Sequence, residues 1–338
     1  MRTLLRERPL LGTVLAAAIA AVAVLVLARV TGADAVGRAF NHVDLGWVAL
    51  LAGAELLTYP AYMLAYRGVA LIHGHAALSL PLVSRIVVAG FGPFALDGGF
   101  GIDKRMLEAI DEDEHSARVR VLALGTLEWA VLAPVACITA IVLLALGANI
   151  MPSLLWPWAL AVPPSVALAL WASAPHRSAW LARVAGRRAV LVVQMLEGIA
   201  DLRTHFRSRR LLDGWTWLGI TAYWAADMCA LWAALRIFGI DLGLGRLIIA
   251  YSTGYAASRR SLPLGGAGAT EVLMTYALYW VRQPLAPALA AVLAYRVFNF
   301  LLIAIPALIA HRQLGSLIAG DGLTPRPLGV REPPPDRS

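Results

Sequence analysis

The segments "GGFGIDKRML" at residues 98–107 and "GGAGATEVLM" at residues 265–274 decide how this chain is read. Each opens on Gly-Gly-any-Gly, places charge after the last glycine and returns to Met and Leu. They lie 167 positions apart in a chain of 338 residues. One such segment in each half points to an internal duplication.

Composition sets the solvent in which that duplication folds. Hydrophobic residues make up 59% of the chain and charged residues 15%, and the mean hydropathy is +0.70. Soluble domains carry about 25% charged residues. Apolar runs of about 20 residues recur, the length a helix needs to cross a hydrocarbon core of about 30 Å. The expected fold class is therefore an all-α polytopic membrane protein.

The net charge of +8 is almost entirely arginine, Lys104 being the only lysine. The arginines cluster between apolar runs, which is the positive-inside pattern rather than a nucleic-acid footprint. No nucleic-acid partner is expected. Cys137 and Cys229 fall inside apolar runs, so neither a disulfide framework nor a cysteine metal site is implied. His73 and His75 lack a third ligand and read as interfacial. Without a P-loop, a nucleophile elbow or an HExxH motif, no catalytic residue, metal or cofactor is expected, and the chain does not read as an enzyme.

The first apolar run, "LLGTVLAAAIAAVAVLVLARV" at residues 10–30, follows Arg2, Arg6 and Arg8. It is long for a signal-peptide core and lacks a small-x-small exit, so it reads as an uncleaved span. Further runs cover residues 45–72, 78–96, 119–146, 154–171, 215–238, 247–257, 269–281 and 286–310. Residues 176–214 hold eight arginines against three acids. That stretch is expected in the cytoplasm of a prokaryotic cell, below the inner membrane, together with both basic termini.

Parity then constrains the crossings. An even number must separate the N-terminus from Arg177, and again Arg210 from Arg312. Residues 78–96 satisfy this when they enter and return as a re-entrant loop through the charged stretch that follows. The same treatment suits residues 247–281, although full crossing by both arms there also keeps parity. The expectation is a helical bundle of about six to eight spans. It forms a single membrane domain over residues 1–312, with a disordered cytoplasmic tail at 313–338.

An offset of 167 aligns the run at 45 with that near 215, the segment at 78 with that near 245, and 119 with 286. The aligned spans travel in opposite directions. The chain therefore reads as an inverted repeat with halves at about 44–147 and 211–311, joined by a basic cytoplasmic linker at about 175–213. In transporters of that plan the substrate site lies near the midplane, where broken helices meet. Gly98, Gly99, Gly265, Gly266 and Gly268 allow the sharp turn and the close backbone approach. The helix starting after each motif offers N–H groups to an anion such as phosphate. The alternative is that the glycines serve close helix packing.

Charges at membrane depth are the remaining clue, since each costs about 2.5–3.5 kcal/mol at mid-span. The candidates are Glu55, Arg85, Glu128, Asp227, Glu271 and Arg296. Arginine forks suit phosphate, so Arg296 and Arg260 are the expected headgroup ligands, with Glu271 orienting one of them. Glu128 aligns with Tyr295 at the repeat offset. The alternatives are a structural ion pair and, for Arg259 and Arg260, an interfacial anchor. Trp156, Trp158, Trp171, Trp215 and Trp217 read as an aromatic belt.

At "LPLGGAGATE" (262–271), followed by "ALAAVLAYRVFNFLLIAIPALI" (288–309), the chain resembles the lysylphosphatidylglycerol synthase transmembrane, or flippase-like, family. Pro263, Gly265, Gly266, Gly268, Glu271, Tyr295 and Arg296 match the family pattern. Gly98, Gly99, Gly101 and Arg105 form a looser counterpart, and the resemblance runs roughly over residues 10–312. It implies a lipid-handling protein that moves a phospholipid or an isoprenoid-phosphate-linked lipid between leaflets. Its partner would be a membrane lipid with a phosphate-containing headgroup. The soluble aminoacyl-transfer domain of the bifunctional synthases has no counterpart here, so lysine transfer to lipid is not expected. Leu264 separates Pro263 from the glycine pair, and the acidic run at 111–114 would not attract an anionic headgroup. A non-transporting scaffold or accessory subunit is the alternative. A lipid-modifying enzyme is disfavoured because no nucleophile–base pair is visible.

Overall fold

The computed structural model describes residue 29 and residues 44–70, 78–92, 99–109, 113–185, 190–208, 210–255 and 268–318. All regular structure among them is helical: α1 (Leu45–Ala70), α2 (Leu80–Phe91), α3 (Gly99–Ala109), α4 (Glu114–Ala145), α5 (Pro152–Ala172), α6 (Pro175–Ala185), α7 (Val190–Ser208), α8 (Arg210–Ile237), α9 (Leu244–Tyr255), α10 (Ala269–Trp280) and α11 (Leu285–Ile318). The apolar run at 10–30 lies outside the described residues.

Local chemistry sets the helix ends. The Asp44 carboxylate accepts the Gly46 N–H at 2.7 Å as α1 begins, and Asp113 accepts from His115 and Ser116 at the start of α4. Both replace partners that the first turn of a helix lacks. Pro81 and Pro152 stand in the first turns of α2 and α5, where a missing N–H has no consequence.

Five of these helices are long and apolar enough to cross a bilayer: α1, α4, α5, α8 from Gly214, and α11 to Gly315. The protein is thus a multi-pass, all-α membrane protein. By contrast α2, α3, α9 and α10 have only 11 or 12 residues. At 1.5 Å per residue each reaches about 18 Å, well short of the hydrocarbon core. They form two packed pairs, α2 with α3 and α9 with α10. Helices this short, packed in pairs, suit the re-entrant arrangement expected for residues 78–118 and 247–281.

The order span, short pair, long helix occurs twice, as α1–α4 and as α8–α11. The most extensive packing in the molecule is between the two opening spans, α1 and α8. A Cβ on Gly219 would lie 2.7 Å from the Ala61 carbonyl oxygen and the Ala65 nitrogen, so glycine lets these backbones touch. Across the repeat, α2 packs on α11 while α9 packs on α4. This reciprocal exchange is what a two-fold relation between halves produces. Three spans, α1, α4 and α5, separate the start of α1 from the start of α8. The odd count makes α8 run against α1, so the repeat is inverted.

Contacts between helix ends agree. At one end Arg236, closing α8, sits 5.3 Å over the Trp47 ring at the start of α1. At that same end Met151 N donates to the Trp280 carbonyl at 3.2 Å. At the other end Arg203 of α7 donates to the Leu170 carbonyl and the Ser173 hydroxyl, both at 2.9 Å. There too His115 at the start of α4 meets Glu197 of α7 at 2.9 Å. The arginine-rich segment expected as a linker is therefore partly two helices, α6 and α7, gathered at that basic end. α5 is mostly exposed and faces lipid.

Two features differ from expectation. α11 continues to Ile318, so residues 313–318 extend the last helix rather than opening a disordered tail; 319–338 lie outside the described residues. Trp158 does not belong to an interfacial belt. Its Nε1 donates to Thr253 Oγ1 at 3.0 Å and its ring stacks on Trp129, fastening α5 to α9.

Candidate functional site

One turn of α11 collects carboxylates from three other helices. Tyr295 donates its hydroxyl to Asp227 Oδ1 of α8 at 2.8 Å. Arg296 donates from Nε to Glu271 Oε1 of α10 at 2.8 Å, and Asn299 donates from Nδ2 to Glu55 Oε2 of α1 at 2.7 Å. All six residues are buried. Tyr295 is ten residues into α11, about 15 Å along its axis, half the hydrocarbon thickness. The convergence therefore sits near mid-membrane.

Each carboxylate has further support. Tyr251 of α9 donates to Asp227 Oδ2, so two tyrosines share that group. Tyr59 donates to Glu55 Oε1 at 3.1 Å. Glu271 Oε2 accepts the Gly268 N–H at 2.7 Å. Gly268 holds φ +83°, a left-handed conformation that suits glycine, and this turns the chain so that its N–H faces the first turn of α10. The anion expected at that helix N-terminus is thus supplied by the protein: the Glu271 side chain folds back onto it. The Arg296 guanidinium carbon lies 4.5 Å from the Phe300 ring centre, a cation–π contact that shields it.

A related pairing lies on the first repeat. Tyr62 of α1 donates to Glu128 Oε1 of α4 at 2.6 Å, and Trp224 Nε1 donates to the Glu128 carbonyl at 3.0 Å. Acid on α4 with tyrosine on α1 is matched by tyrosine on α11 with acid on α8. Glu128 and Tyr295 are therefore equivalent under the repeat, but they do not pair with each other. Between the two pairs the tips of both short helices reach Tyr223 of α8. Phe91, ending α2, packs edge-on against Tyr62 and Tyr223, and the hydroxyl of Tyr255, ending α9, is 3.1 Å from that of Tyr223.

The expected site residues divide accordingly. Glu271, Arg296, Gly268 and Tyr295 fall in the mid-membrane cluster, and Glu128 in the related pair. Gly99 begins α3. Arg105 is half-buried on that same helix, which packs on α2, α4 and α11. Gly98, Gly265, Gly266 and Arg260 lie outside the described residues, so the structure places none of them. Among the described residues no group of three potential metal ligands comes together.

Sequence reasoning missed several partners. Asn299, Tyr59, Tyr62 and Tyr251 are uncharged and give no signal in an apolar run. Asp103 and Arg120 are buried and line one cavity of about 10 Å³. In the sequence they disappear into the charged stretch around them. The available clue was their placement beside apolar residues, Asp103 next to buried Ile102 and Arg120 next to buried Val121.

A family model described as the lysylphosphatidylglycerol synthase TM region matches residues 110–307. The match takes in the mid-membrane turn of α11 and its α8 and α10 partners, and leaves out α1 and the first glycine segment. No curated protein matches the chain.

Proposed function

This chain belongs to the lysylphosphatidylglycerol synthase transmembrane-region family, and on that premise we propose that it moves a phospholipid or an isoprenoid-phosphate-linked lipid between leaflets. The observation that carries this reading is the convergence of Asp227, Glu271 and Glu55 on Tyr295, Arg296 and Asn299. It lies where two broken-helix pairs of an inverted repeat approach each other, the usual place for a transport site.

The chemistry is an exchange of anions. Arg296 is held by a carboxylate, and a lipid phosphate competes for the same guanidinium with a planar fork of donors. Glu271, when displaced, keeps the Gly268 N–H and the positive end of α10 as partners. The headgroup crosses between the two short-helix pairs while the acyl chains remain in lipid. The arginine-rich end, with α6 and α7, faces the cytoplasm by the positive-inside rule. No enzymatic step is invoked and the work is transport.

Burial favours a second reading. Glu271 and Arg296 have only 2% and 3% exposure, which suits a structural pair in a scaffold that binds lipid or a partner enzyme. Vesicles reconstituted with purified protein and a headgroup-labelled phosphatidylglycerol separate the two. Transport predicts that label reaches the far leaflet faster than in protein-free vesicles; lipid binding without transfer sinks the transport reading.

A further inference from the structure

An open groove of about 330 Å³ runs between α2 and α11, lined by Ser84, Arg85 and Val88 on one side and by Ile305, Pro306, Ile309, Ala310 and Gln313 on the other. Apart from Ser84, Arg85 and Gln313 its walls are aliphatic, and Ile305 and Ile309 are exposed to 72% and 52%. Within it stands one cation. Arg85 is exposed, and among the described residues it has no hydrogen-bond or ion-pair partner. The other arginine singled out at membrane depth, Arg296, is paired with a carboxylate.

Depth distinguishes the groove from the mid-membrane cluster. Ile305 is 20 residues into α11, about 30 Å along its axis, so the groove opens at the basic end of the hydrocarbon core. Arg85 is only five residues beyond Leu80, where α2 begins, about 8 Å from that helix end. A guanidinium there stands near the phosphate level, beside Ile309, with Ile305 one turn deeper at the edge of the acyl region. The Ser84 hydroxyl beside it donates to the Pro81 carbonyl at 2.9 Å.

We propose that this groove binds a phospholipid of the cytoplasmic leaflet, with its phosphate on Arg85, its glycerol beside Ile309 and one acyl chain along Ile305 and Val88. The proposal rests on the transport reading for the orientation of α2 and deepens it by naming where the lipid is held before it reaches Arg296. Charge complementarity selects the occupant: a lone cation in an aliphatic groove is matched by an amphiphile with an anionic head. A free anion would leave the isoleucines without a partner, and a neutral lipid would leave Arg85 without one.

The test uses the full chain in vesicles of phosphatidylglycerol and phosphatidylethanolamine, with retained lipid counted by native mass spectrometry. Arg85→Ala is expected to lower retained phosphatidylglycerol about tenfold, the scale of one lost charged hydrogen bond. Arg85→Lys should keep part of it. Ile309→Trp, which fills the groove without changing charge, should lower it as well. Both positions are exposed, so folding is not at risk. Wild-type retention in Arg85→Ala and Ile309→Trp overturns the proposal, as does displacement of the lipid by inorganic phosphate alone. If retention ignores Arg85 while transport still depends on Arg296, the groove is removed and transport stands. If retention depends on Arg85 in protein that transports nothing, the groove stands and transport is removed.

Discussion

Arg296→Ala removes the guanidinium from a buried pair and leaves Glu271 with the Gly268 N–H as its remaining described partner. Breaking a buried ion pair from one side costs about 3–5 kcal/mol, because the surviving charge stays desolvated. The N-terminal dipole of α10 offsets only about 0.3–1 kcal/mol. The single variant is therefore expected to reduce folded protein whichever role the pair has. A neutral pair is more informative. In Arg296→Met with Glu271→Gln neither partner leaves a buried charge, and the glutamine oxygen can still accept from Gly268. Replacing a buried pair by neutral side chains of similar volume is commonly neutral or stabilising by about 1–4 kcal/mol. Thermal unfolding of the double variant should return close to wild type. Transport of labelled lipid per folded molecule should remain abolished, because no fork of donors is left for phosphate. Arg296→Lys should transport in part. Both measurements belong on one preparation, and wild-type transport by the neutral pair would refute phosphate recognition at Arg296.

Three further outcomes follow from the fold. Single cysteines at exposed Asn149 and Arg183 should react with an impermeant reagent from opposite sides of the membrane, since α5 separates them; labelling from one side contradicts α5 as a span. Gly219→Ala should lower stability in detergent by about 1–3 kcal/mol through overpacking of α1 on α8. Gly53→Ala, where an added Cβ meets nothing within 4 Å, should be neutral or slightly stabilising, so equal losses would deny the close crossing. Asp113 accepts from the Ser116 hydroxyl and from the Ser116 and His115 N–H groups, which holds its carboxyl below the ordinary 3.8. A depressed folded-state value makes this cap complete above the ordinary value and lost as pH falls through the folded one. Hydrogen-exchange protection of the first turn of α4 should stay level down to about pH 4 and drop below it, and Asp113→Asn should remove that dependence.

Periodicity and charge made much of the fold legible. A run such as 119–146 has no soluble alternative, because its length and apolarity match a bilayer, and arginine counts at 176–214 orient the spans around it. The short pairs were legible as well, since glycine and proline interrupt segments too short to cross. Their equivalence was visible only roughly. The repeat offset is 164 between Leu80 and Leu244 but 170 between Gly99 and Ala269, because the loops between the arms differ in length.

The site was legible only as a set of costs. An ionised group in an apolar run must be compensated, so Glu55, Glu128, Asp227, Glu271 and Arg296 were identifiable from the sequence alone. Which groups compensate them was not, because the partners come from helices up to 244 positions away, as Asn299 does for Glu55. Tyrosine and asparagine stand out from no pattern until packing brings them to a carboxylate. The groove at Arg85 is the same case reversed, since only the spacing of α2 and α11 leaves that arginine open to lipid. Sequence determined that this chain lives in a membrane, that it is duplicated, and which charges are costly there. Tertiary structure alone decided which of those charges meet a partner inside the protein, because pairing depends on helix rotation and depth, and neither is written in any one segment.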